Sequence, residues 1–298
     1  MRKKIDYYFI RLFLGMGSVL PERLIYLLST GLLKLYYALK PKRIALMHSN
    51  IQKAFPHLSG EEVIEFGKEV YQEVAKTMAE LVLIYADRLD IDKVVVNQHE
   101  AVQKLKAIDQ KAANGVIYIM AHYGNWELLG QFMAKNGYPL VGVVKEGRNR
   151  DIEQEILIPF RAKYGNESVG HASSMIAITK ALKAQKRVSL AIDQVVQPPN
   201  GVLVDFFGHQ TAATKAIAML KLKYHPLVVP IFITRVGEQQ FSIDIHDPVE
   251  PLFEGGLPEE EKIVVMTQQY YDIIEIQIRK APTQWLWLYN RWKAIHAV

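Results

Sequence analysis

The 298-residue chain has no cysteine, carries 36 Lys and Arg residues against 31 Asp and Glu residues, and is 50% apolar. This length suits one large domain, or one domain with an appendage, and it allows a sizeable buried core. The absence of cysteine excludes disulfides, thiolate metal sites and a cysteine nucleophile, and it is compatible with a catalytic part that faces a reducing cytoplasm.

The net charge of +5 originates in the amino-terminal segment. Residues 1–43 hold nine basic residues against two acidic ones, whereas the rest of the chain holds 27 against 29. The same segment contains two apolar stretches, residues 7–20 and 24–39, and neither reaches the roughly 20 apolar residues of a spanning helix without a charge or the break at Pro21. Each has a narrow polar stripe beside a broad apolar face, which predicts helices that lie in a membrane interface and press basic groups against anionic lipid. A pair of buried core helices is the alternative.

A capping-box pattern at residues 59–62 predicts the start of a long amphipathic helix that continues to Ile84. Beyond it, short apolar runs alternate with helical patterns, so we expect an α/β fold with a largely parallel central sheet covered by helices. The predicted strands are residues 94–96, 116–120, 140–144, 188–192, 227–233 and 241–245, and the predicted helices lie near 125–135, 151–163, 174–185, 212–224 and 259–279. We divide the chain into membrane-associated helices, residues 1–43, and an α/β domain, residues 44–298.

The segment Ala121–Glu127 follows a predicted buried strand and precedes a predicted helix, which places His122 on a strand-to-helix turn. A histidine at such a turn can take a proton from a hydroxyl, while a nearby carboxylate holds its other ring nitrogen in one tautomer and stabilises the imidazolium. Glu127, five residues further on, is the candidate carboxylate. The alternative is a buried histidine followed by a glutamate that caps the helix.

A second polar pair, Asp193 and Gln194, directly follows the strand predicted at residues 188–192. Because ligands gather beyond the carboxyl ends of parallel strands, we expect this pair and His122 to meet at one edge of the sheet. A turn cap is the alternative for Asp193. Arg161, on a predicted helix, is a candidate for gripping phosphate or stabilising an oxyanion. The remaining histidines lack metal-ligand spacing, and there is no glycine-rich phosphate loop, so we expect no metal.

Several sequence blocks resemble the late acyltransferases of lipid A biosynthesis, which add a secondary lauroyl or myristoyl chain to a Kdo-bearing lipid A precursor. In order along nearly the whole chain, they are Asn50–Pro56, Ala121–Glu127, Leu190–Gln194 leading into Gly201–Gly208, Pro230–Arg235 and Gln284–Trp292. The segment Gly147–Asp151 departs from the usual pattern of the family because it lacks a proline.

This resemblance implies a fold similar to the glycerolipid acyltransferases, with an acyl carrier protein thioester as donor and a lipid A precursor as acceptor. It implies no cofactor, and a location at the inner membrane with the catalytic domain on the cytoplasmic face. His122 is then the general base and Glu127 the carboxylate that orients it. The residues expected to bind substrate are Asn125, Arg161, Asp193, Gln194, Arg235 and Arg291. For Arg161 we favour contact with a phosphate of the acceptor over contact with an oxyanion.

The acidic carrier protein is expected to dock on a basic surface, and the sequence offers two groups. One is Lys40, Lys42 and Arg43, and the other is Lys215, Lys221 and Lys223. The tryptophan-rich carboxyl-terminal block is expected to be a packed terminal element or a wall of an acyl groove. A glycerolipid or lysophospholipid acyltransferase remains an alternative, since a histidine–carboxylate site suits any lipid hydroxyl. A membrane lipid-binding protein without catalysis is the alternative from another class.

Overall fold

The computed structural model of the chain describes residues 2–144, 147, 149–170, 174–253 and 256–293. The helices in these ranges are α1 (Arg2–Met16), α2 (Glu22–Ala38), α3 (Pro41–Ala54), α4 (Gly60–Tyr85), α5 (Ile91–Val94), α6 (Gln98–Lys111), α7 (Trp126–Lys135), α8 (Arg150–Ile152), α9 (Ile158–Ala162), α10 (Ser174–Lys183), α11 (Ala216–Tyr224) and α12 (Glu259–Lys280). The strands are β1 (Val116–Met120), β2 (Leu140–Val144), β3 (Glu167–Gly170), β4 (Arg187–Ala191), β5 (Gly201–Phe206), β6 (His209–Thr214), β7 (Leu227–Gly237) and β8 (Gln240–Ile245). A π-helical turn, Glu153–Leu157, joins α8 to α9, and a 3₁₀ turn, Pro282–Gln284, follows α12.

Six strands form the central sheet in the order β3-β2-β4-β1-β7-β8. All neighbours pair in parallel except β7 and β8, which confirms the predicted α/β fold with a largely parallel sheet. Every residue of β1 is buried. Ile117 and Ile119 enter one core, whereas Val116 and Tyr118 enter the core on the other side, because successive strand residues point to opposite faces. The sheet is therefore covered on both faces, as parallel sheets generally are.

Two of the local predictions are wrong. Residues 94–96 are predicted as a strand, but Val94 is the last residue of helix α5. Of the two residues that follow, Val95 forms an isolated bridge to Phe241. The Asp90 side chain accepts a hydrogen bond from the backbone N–H of Asp92, and this capping outweighs the β propensity of three valines. The helix predicted from residue 212 begins only at Ala216, because residues 209–214 pair with β5 in an antiparallel hairpin. That pairing depends on a partner strand, which the helical pattern does not reveal.

The long helix α4 begins where the capping box predicts. The Ser59 Oγ accepts a hydrogen bond from the Glu62 backbone N–H at 3.3 Å, and the Ser59 backbone N–H donates to the Glu62 carboxylate at 2.7 Å. These two bonds satisfy N–H groups that a helix start otherwise leaves unpaired. The helix then runs for 26 residues and carries the buried Glu80 toward the end of β7.

Helices α1 and α2 present two kinds of apolar surface. Along α2, Ile25, Ser29, Leu33 and Tyr37 form a buried stripe, and α2 packs against α4. Ten large apolar side chains between residues 5 and 39 are each at least 43% exposed: Ile5, Tyr8, Phe9, Leu12, Val19, Leu24, Leu27, Leu35, Tyr36 and Leu39. Helix α2 is therefore buried on one face and exposed on another. The sequence-based alternatives, an interfacial helix and a buried core helix, each describe only one of these faces. No helix within the described ranges is long and apolar enough to cross a membrane.

Candidate active site

The pairing register of two central strands brings a histidine and an aspartate together. Met120, the last residue of β1, pairs with Ala191, the last residue of β4. The Ile192 backbone N–H continues this pairing by donating to the Met120 carbonyl at 3.0 Å. His122 lies two residues after Met120, and Asp193 lies two residues after Ala191. Both side chains are therefore located at the same edge of the sheet, just beyond the ends of the two strands. The expectation that these two groups meet at the carboxyl ends of the strands is thus confirmed.

Asp193 holds the imidazole of His122 and the backbone of the same residue. The His122 Nδ1 lies 2.8 Å from Asp193 Oδ1, and the His122 backbone N–H donates to Oδ2 at 2.9 Å. A buried carboxylate accepts hydrogen bonds, so this arrangement assigns the proton to Nδ1 and leaves Nε2 as the basic nitrogen. The His122 side chain is 24% exposed and that of Asp193 only 4%. Nε2 has no hydrogen-bond partner among the described residues, and the ring packs edge-on against Trp126.

The protein stabilises the charged forms of both groups. Burial by itself lowers the pKa of His122, but the charge of Asp193, the hydrogen bond to it and the charge of Glu127 outweigh this effect and leave the pKa above its usual value. Burial by itself raises the pKa of Asp193, but the charge of His122 and hydrogen bonds from His122 and Trp285 leave that pKa below its usual value. The site can therefore take up a proton on His122 and hold the resulting ion pair.

Glu127, predicted to orient His122, does not hydrogen-bond to the imidazole in the structure. Glu127 lies in the first turn of α7, and its carboxylate accepts hydrogen bonds from Arg161 Nε at 3.0 Å and from Nη2 at 2.5 Å. Glu153 lies on the other side of Arg161, with an oxygen 3.9 Å from Nη1. The first turn of α7 directs Glu127 toward α9, whereas the strand register gives Asp193 to His122. The charge of Glu127 raises the pKa of His122, and the contacts of the described residues show no hydrogen bond between the two side chains.

The turn that carries His122 is held by the segment that follows α12. The His122 carbonyl accepts a hydrogen bond from the Leu286 backbone N–H at 2.9 Å, and the Gly124 backbone N–H donates to the Gln284 carbonyl at 3.0 Å. Gly124 has φ of +59°, and a Cβ at this position would lie 1.9 Å from the Ile233 carbonyl oxygen. Only glycine fits there. Because the Gly124 N–H is paired with the Gln284 carbonyl, it is not free to stabilise an oxyanion.

Asn125 and Arg235 are engaged with protein partners beneath the site. The Asn125 side chain caps α7 by accepting from the Leu128 backbone N–H at 3.1 Å, and it donates to Glu80 at 2.9 Å. Arg235, whose side chain is 7% exposed, donates to Glu73 at 2.7 Å and pairs with Glu80. These buried contacts give no support to the predicted substrate-binding roles. They instead join α4, α7 and β7 beneath the His122 turn.

Arg291 and Gln194 also differ from what we expected. Arg291 is fully buried, its Nη1 donates to Thr211 Oγ1 at 2.7 Å, and its guanidinium lies against the rings of Phe206 and Tyr271. A substrate contact has no support there. Gln194 is half-buried beside Asp193 and makes no polar side-chain contact with the described part of the chain. It is therefore the predicted substrate-binding residue that remains available to a ligand at this edge of the sheet.

The role of Trp285 was missed by the sequence reasoning. Its indole Nε1–H donates to Asp193 Oδ2 at 2.8 Å, although 92 residues separate the two in the chain. No local pattern reveals such a contact. Chemically, the site contains a hydrogen-bonded His–Asp pair with an available basic nitrogen, an arginine shared between two carboxylates, and no cysteine. This arrangement can remove a proton from a hydroxyl group as that group attacks an acyl carbon.

Comparison with known proteins gives two matches. The family described as bacterial lipid A biosynthesis acyltransferase matches residues 2–294. The chain is also similar to the lipid A biosynthesis lauroyltransferase of Escherichia coli (strain K12), with 26% identity over 289 residues, which cover 94% of this chain and 90% of that protein. The resemblance seen in the sequence blocks is thus confirmed over nearly the whole length.

Proposed function

The chain belongs to the bacterial lipid A biosynthesis acyltransferase family, and on this premise we propose that it transfers a fatty acyl chain from acyl carrier protein to a hydroxyl of a lipid A precursor. The hydrogen-bonded pair of His122 and Asp193 is the observation that carries the proposal. It provides the base that transfer to a hydroxyl requires. Glu127, which we expected in the orienting role, is placed in this mechanism as the partner of Arg161.

In the proposed reaction, the acceptor hydroxyl oxygen forms a bond to the carbonyl carbon of the donor thioester. The hydroxyl proton passes to Nε2 of His122, and Asp193 stabilises the imidazolium. The tetrahedral intermediate then collapses, the carbon–sulfur bond breaks, and the same proton passes from His122 to the leaving thiolate. The products are an ester and a free thiol, and His122 is again neutral. Transfer is direct, in agreement with the absence of cysteine.

Arg161 is proposed to act on this site through Glu127. Its Nε and Nη2 are committed to Glu127, and Nη1 lies 3.9 Å from Glu153. Two carboxylates around one guanidinium leave an excess negative charge, which repels a phosphate. The phosphate role that we favoured from the sequence is therefore the weaker one. A role in holding the charge of Glu127 close to His122 fits the contacts better.

For the carrier protein we propose docking at the basic group Lys40, Lys42 and Arg43. All three are exposed, and none forms a salt bridge within the described ranges. Arg43 donates to the Leu288 carbonyl at 3.2 Å, and Leu286, two residues earlier, bonds to His122. Two residues span at most about 7 Å, so the carbonyl that Arg43 contacts lies close to the backbone that contacts the His122 turn. Its charge is complementary to an acidic carrier.

The second basic group has less support as a docking surface. Lys221 and Lys223 occupy the last turn of α11, shortly before β7 begins at Leu227. Leu227 pairs with Val116, the first residue of β1, whereas His122 follows the last one. Five residues of strand rise about 17 Å, so these lysines lie toward the opposite edge of the sheet. Lys221 is also within 4.0 Å of Glu250.

We also propose that α1 and α2 attach the protein to the cytoplasmic face of the inner membrane without spanning it. The support is the exposed apolar surface between Ile5 and Leu39 together with the basic residues of the same segment. A concentration of exposed apolar side chains in one segment is typical of an interaction site, and basic groups in the same segment favour anionic lipid. A lipid acceptor embedded in that membrane would then be close to the enzyme.

The test is acyl transfer by the purified full-length chain in detergent micelles. Acyl carrier protein thioester and a lipid A precursor are supplied, and mass spectrometry of the lipid is expected to show the gain of one acyl chain. Lysophospholipid as acceptor and a coenzyme A thioester as donor are tested in parallel. Acylation of lysophospholipid alone would support the glycerolipid alternative, and the absence of transfer to any acceptor would support the non-catalytic one.

A further inference from the structure

We propose that Trp285 is a positioning residue for the His122–Asp193 pair: its indole N–H fixes the carboxylate in the rotation that keeps the His122 proton on Nδ1. The proposal rests on the proposed function where it concerns catalysis. It is independent of that function where it concerns the tautomer of His122. Trp285 is 3% exposed and its indole N–H donates to the Asp193 carboxylate, so we assign it a role that acts through Asp193.

The two oxygens of Asp193 have different partners. Oδ1 faces the imidazole Nδ1 at 2.8 Å. Oδ2 accepts two N–H groups, from the His122 backbone at 2.9 Å and from the Trp285 indole at 2.8 Å. Because both of these groups can only donate, they demand an acceptor at Oδ2. The orientation of the carboxylate is thereby fixed from the side opposite the imidazole.

The indole is itself held in a fixed position. Trp285 is 3% exposed, its ring packs 4.6 Å from that of Trp287, and its backbone forms an isolated bridge with Tyr123, next to His122. The Leu286 N–H bonds to the His122 carbonyl. One short segment therefore fixes His122 through its backbone and Asp193 through an indole. Precise support of this kind is what a catalytic pair requires of its surroundings.

Trp287 provides a matched control. It is equally buried, lies beside Trp285, and its indole N–H also donates one hydrogen bond, but to the Pro282 carbonyl at 2.7 Å instead of to Asp193. Phe at either position keeps an aromatic ring in the cluster and removes one N–H. A difference between the two substitutions therefore reports the bond to Asp193 and not general packing.

The experiment compares the wild type, Trp285→Phe and Trp287→Phe as full-length proteins in detergent micelles. ¹⁵N NMR of histidine-labelled protein gives the tautomer of neutral His122, and the signal is assigned by its loss in His122→Asn. We expect the Nδ1–H tautomer in the wild type and in Trp287→Phe, and a mixture with the Nε2–H form in Trp285→Phe. We also expect kcat of Trp285→Phe to fall about ten-fold, with KM of both substrates unchanged.

An unaltered His122 tautomer in a folded Trp285→Phe protein would overturn the proposal, as would equal changes in both variants. If Trp285→Phe does not fold, benzothienylalanine at position 285 keeps the bicyclic shape and replaces only the N–H by sulfur. Absence of acyl transfer in every protein, including the wild type, would instead reject the proposed function. The NMR comparison would still decide the role of Trp285 in that case.

Discussion

At the scale of single residues, two carboxylates near His122 have separate tasks. Asp193 bonds to the imidazole and to the backbone of His122, whereas Glu127 bonds to Arg161 and contributes only its charge. The effects of Asp193 and Glu127 on His122 can be distinguished. The hydrogen bond to Asp193 controls both the tautomer and the pKa of His122, whereas the charge of Glu127 controls only the pKa. This distinction leads to different expectations for their amide substitutions: both should lower the pKa of His122, but only Asp193→Asn should also change its tautomer.

We expect Asp193→Asn to lower kcat by about 10²- to 10⁴-fold. The two N–H groups that face Oδ2 require an oxygen there, so the amide must direct its NH₂ group at Nδ1 and force the proton onto Nε2. The acid limb of the pH profile of kcat/KM should also move to lower pH. The general base must be neutral to act, and once the charge of Asp193 is removed, burial lowers the pKa of His122. Glu127→Gln should shift the limb in the same direction by less. A larger shift in Glu127→Gln than in Asp193→Asn would show that Glu127 is the dominant partner.

Removal of Arg161 should have the opposite effect on the pH profile. Arg161→Met leaves the charge of Glu127 uncompensated, which raises the pKa of His122 further and moves the acid limb of kcat/KM to higher pH. KM for the lipid acceptor should change little, because two carboxylates already surround the guanidinium. Kinetics with the acceptor varied, together with thermal unfolding as a control of folding, measure both effects. A large rise in KM with kcat unchanged would restore the phosphate role.

The sequence predicts the position of His122 better than its contacts. A strand-to-helix turn is encoded locally, by the apolar run before Ala121 and the helical spacing after Trp126, so His122 at the sheet edge could be foreseen. The bond to Asp193 follows from the register between β1 and β4, and the bond from Trp285 follows from the return of the chain after α12. Both are long-range contacts. Proximity in sequence favours Glu127 as the partner of His122, but the first turn of α7 directs its side chain toward Arg161.

At the scale of elements, the site depends on how helix α3 and the carboxyl-terminal segment meet. The Asn50 side chain in α3 donates to the carbonyls of Trp287 and Tyr289, each at 2.7 Å, and holds this segment against the His122 turn. The same helix carries Lys42 and Arg43 at its exposed start. The elements that support catalysis therefore also present the basic surface that we propose for the carrier protein.

Charge reversal tests which basic surface the carrier uses. Lys42→Glu should raise KM for the acyl carrier thioester and leave KM for the lipid acceptor unchanged, because it opposes an acidic partner outside the site. Lys223→Glu is the matched control, an exposed lysine near the opposite edge of the sheet. The difference should shrink at high salt, since exposed charges are screened. If Lys223→Glu raises KM and Lys42→Glu does not, the carrier docks at α11.

The regular elements were predicted with different success for a physical reason. The capping box and apolar periodicity of α4 are local signals, and the parallel strands are apolar runs that any buried sheet requires. The hairpin of β5 and β6, in contrast, depends on mutual pairing, and β6 is rich in alanine and threonine instead of being an apolar run. A helix was therefore predicted where the partner strand enforces an extended chain.

At the scale of the whole molecule, the exposed apolar side chains of α1 and α2 are the feature to explain. The α2 stripe of Ile25, Leu33 and Tyr37 is covered by the protein, and Leu27 and Leu35 on the same helix are exposed. A helix with one covered and one uncovered apolar face fits a protein that lies on a membrane and packs on its own core at the same time. On the membrane that we propose, the basic residues of this segment would add an attraction to anionic lipid.

Extraction of membranes that contain the full-length chain tests this arrangement. High salt should leave the protein in the membrane fraction and detergent should release it, because apolar burial outweighs a screened attraction of about 1 kcal/mol per basic residue. Deletion of residues 1–39 should remove membrane binding but also uncover α4, so that solubility falls. Complete release by salt alone would contradict insertion of the apolar surface.

We propose that His122, held by Asp193, is the general base of acyl transfer to a lipid A precursor. The most direct measurement is the single-turnover rate of transfer from acyl carrier protein thioester by the wild type, His122→Ala, Asp193→Ala and the double variant, each shown to be folded. We expect each single substitution to lower the rate by about 10²- to 10⁴-fold, and the double variant to be hardly worse than the slower single one because the two residues act as a unit. A folded His122→Ala protein that keeps more than about a tenth of the wild-type rate would show that His122 is not the general base.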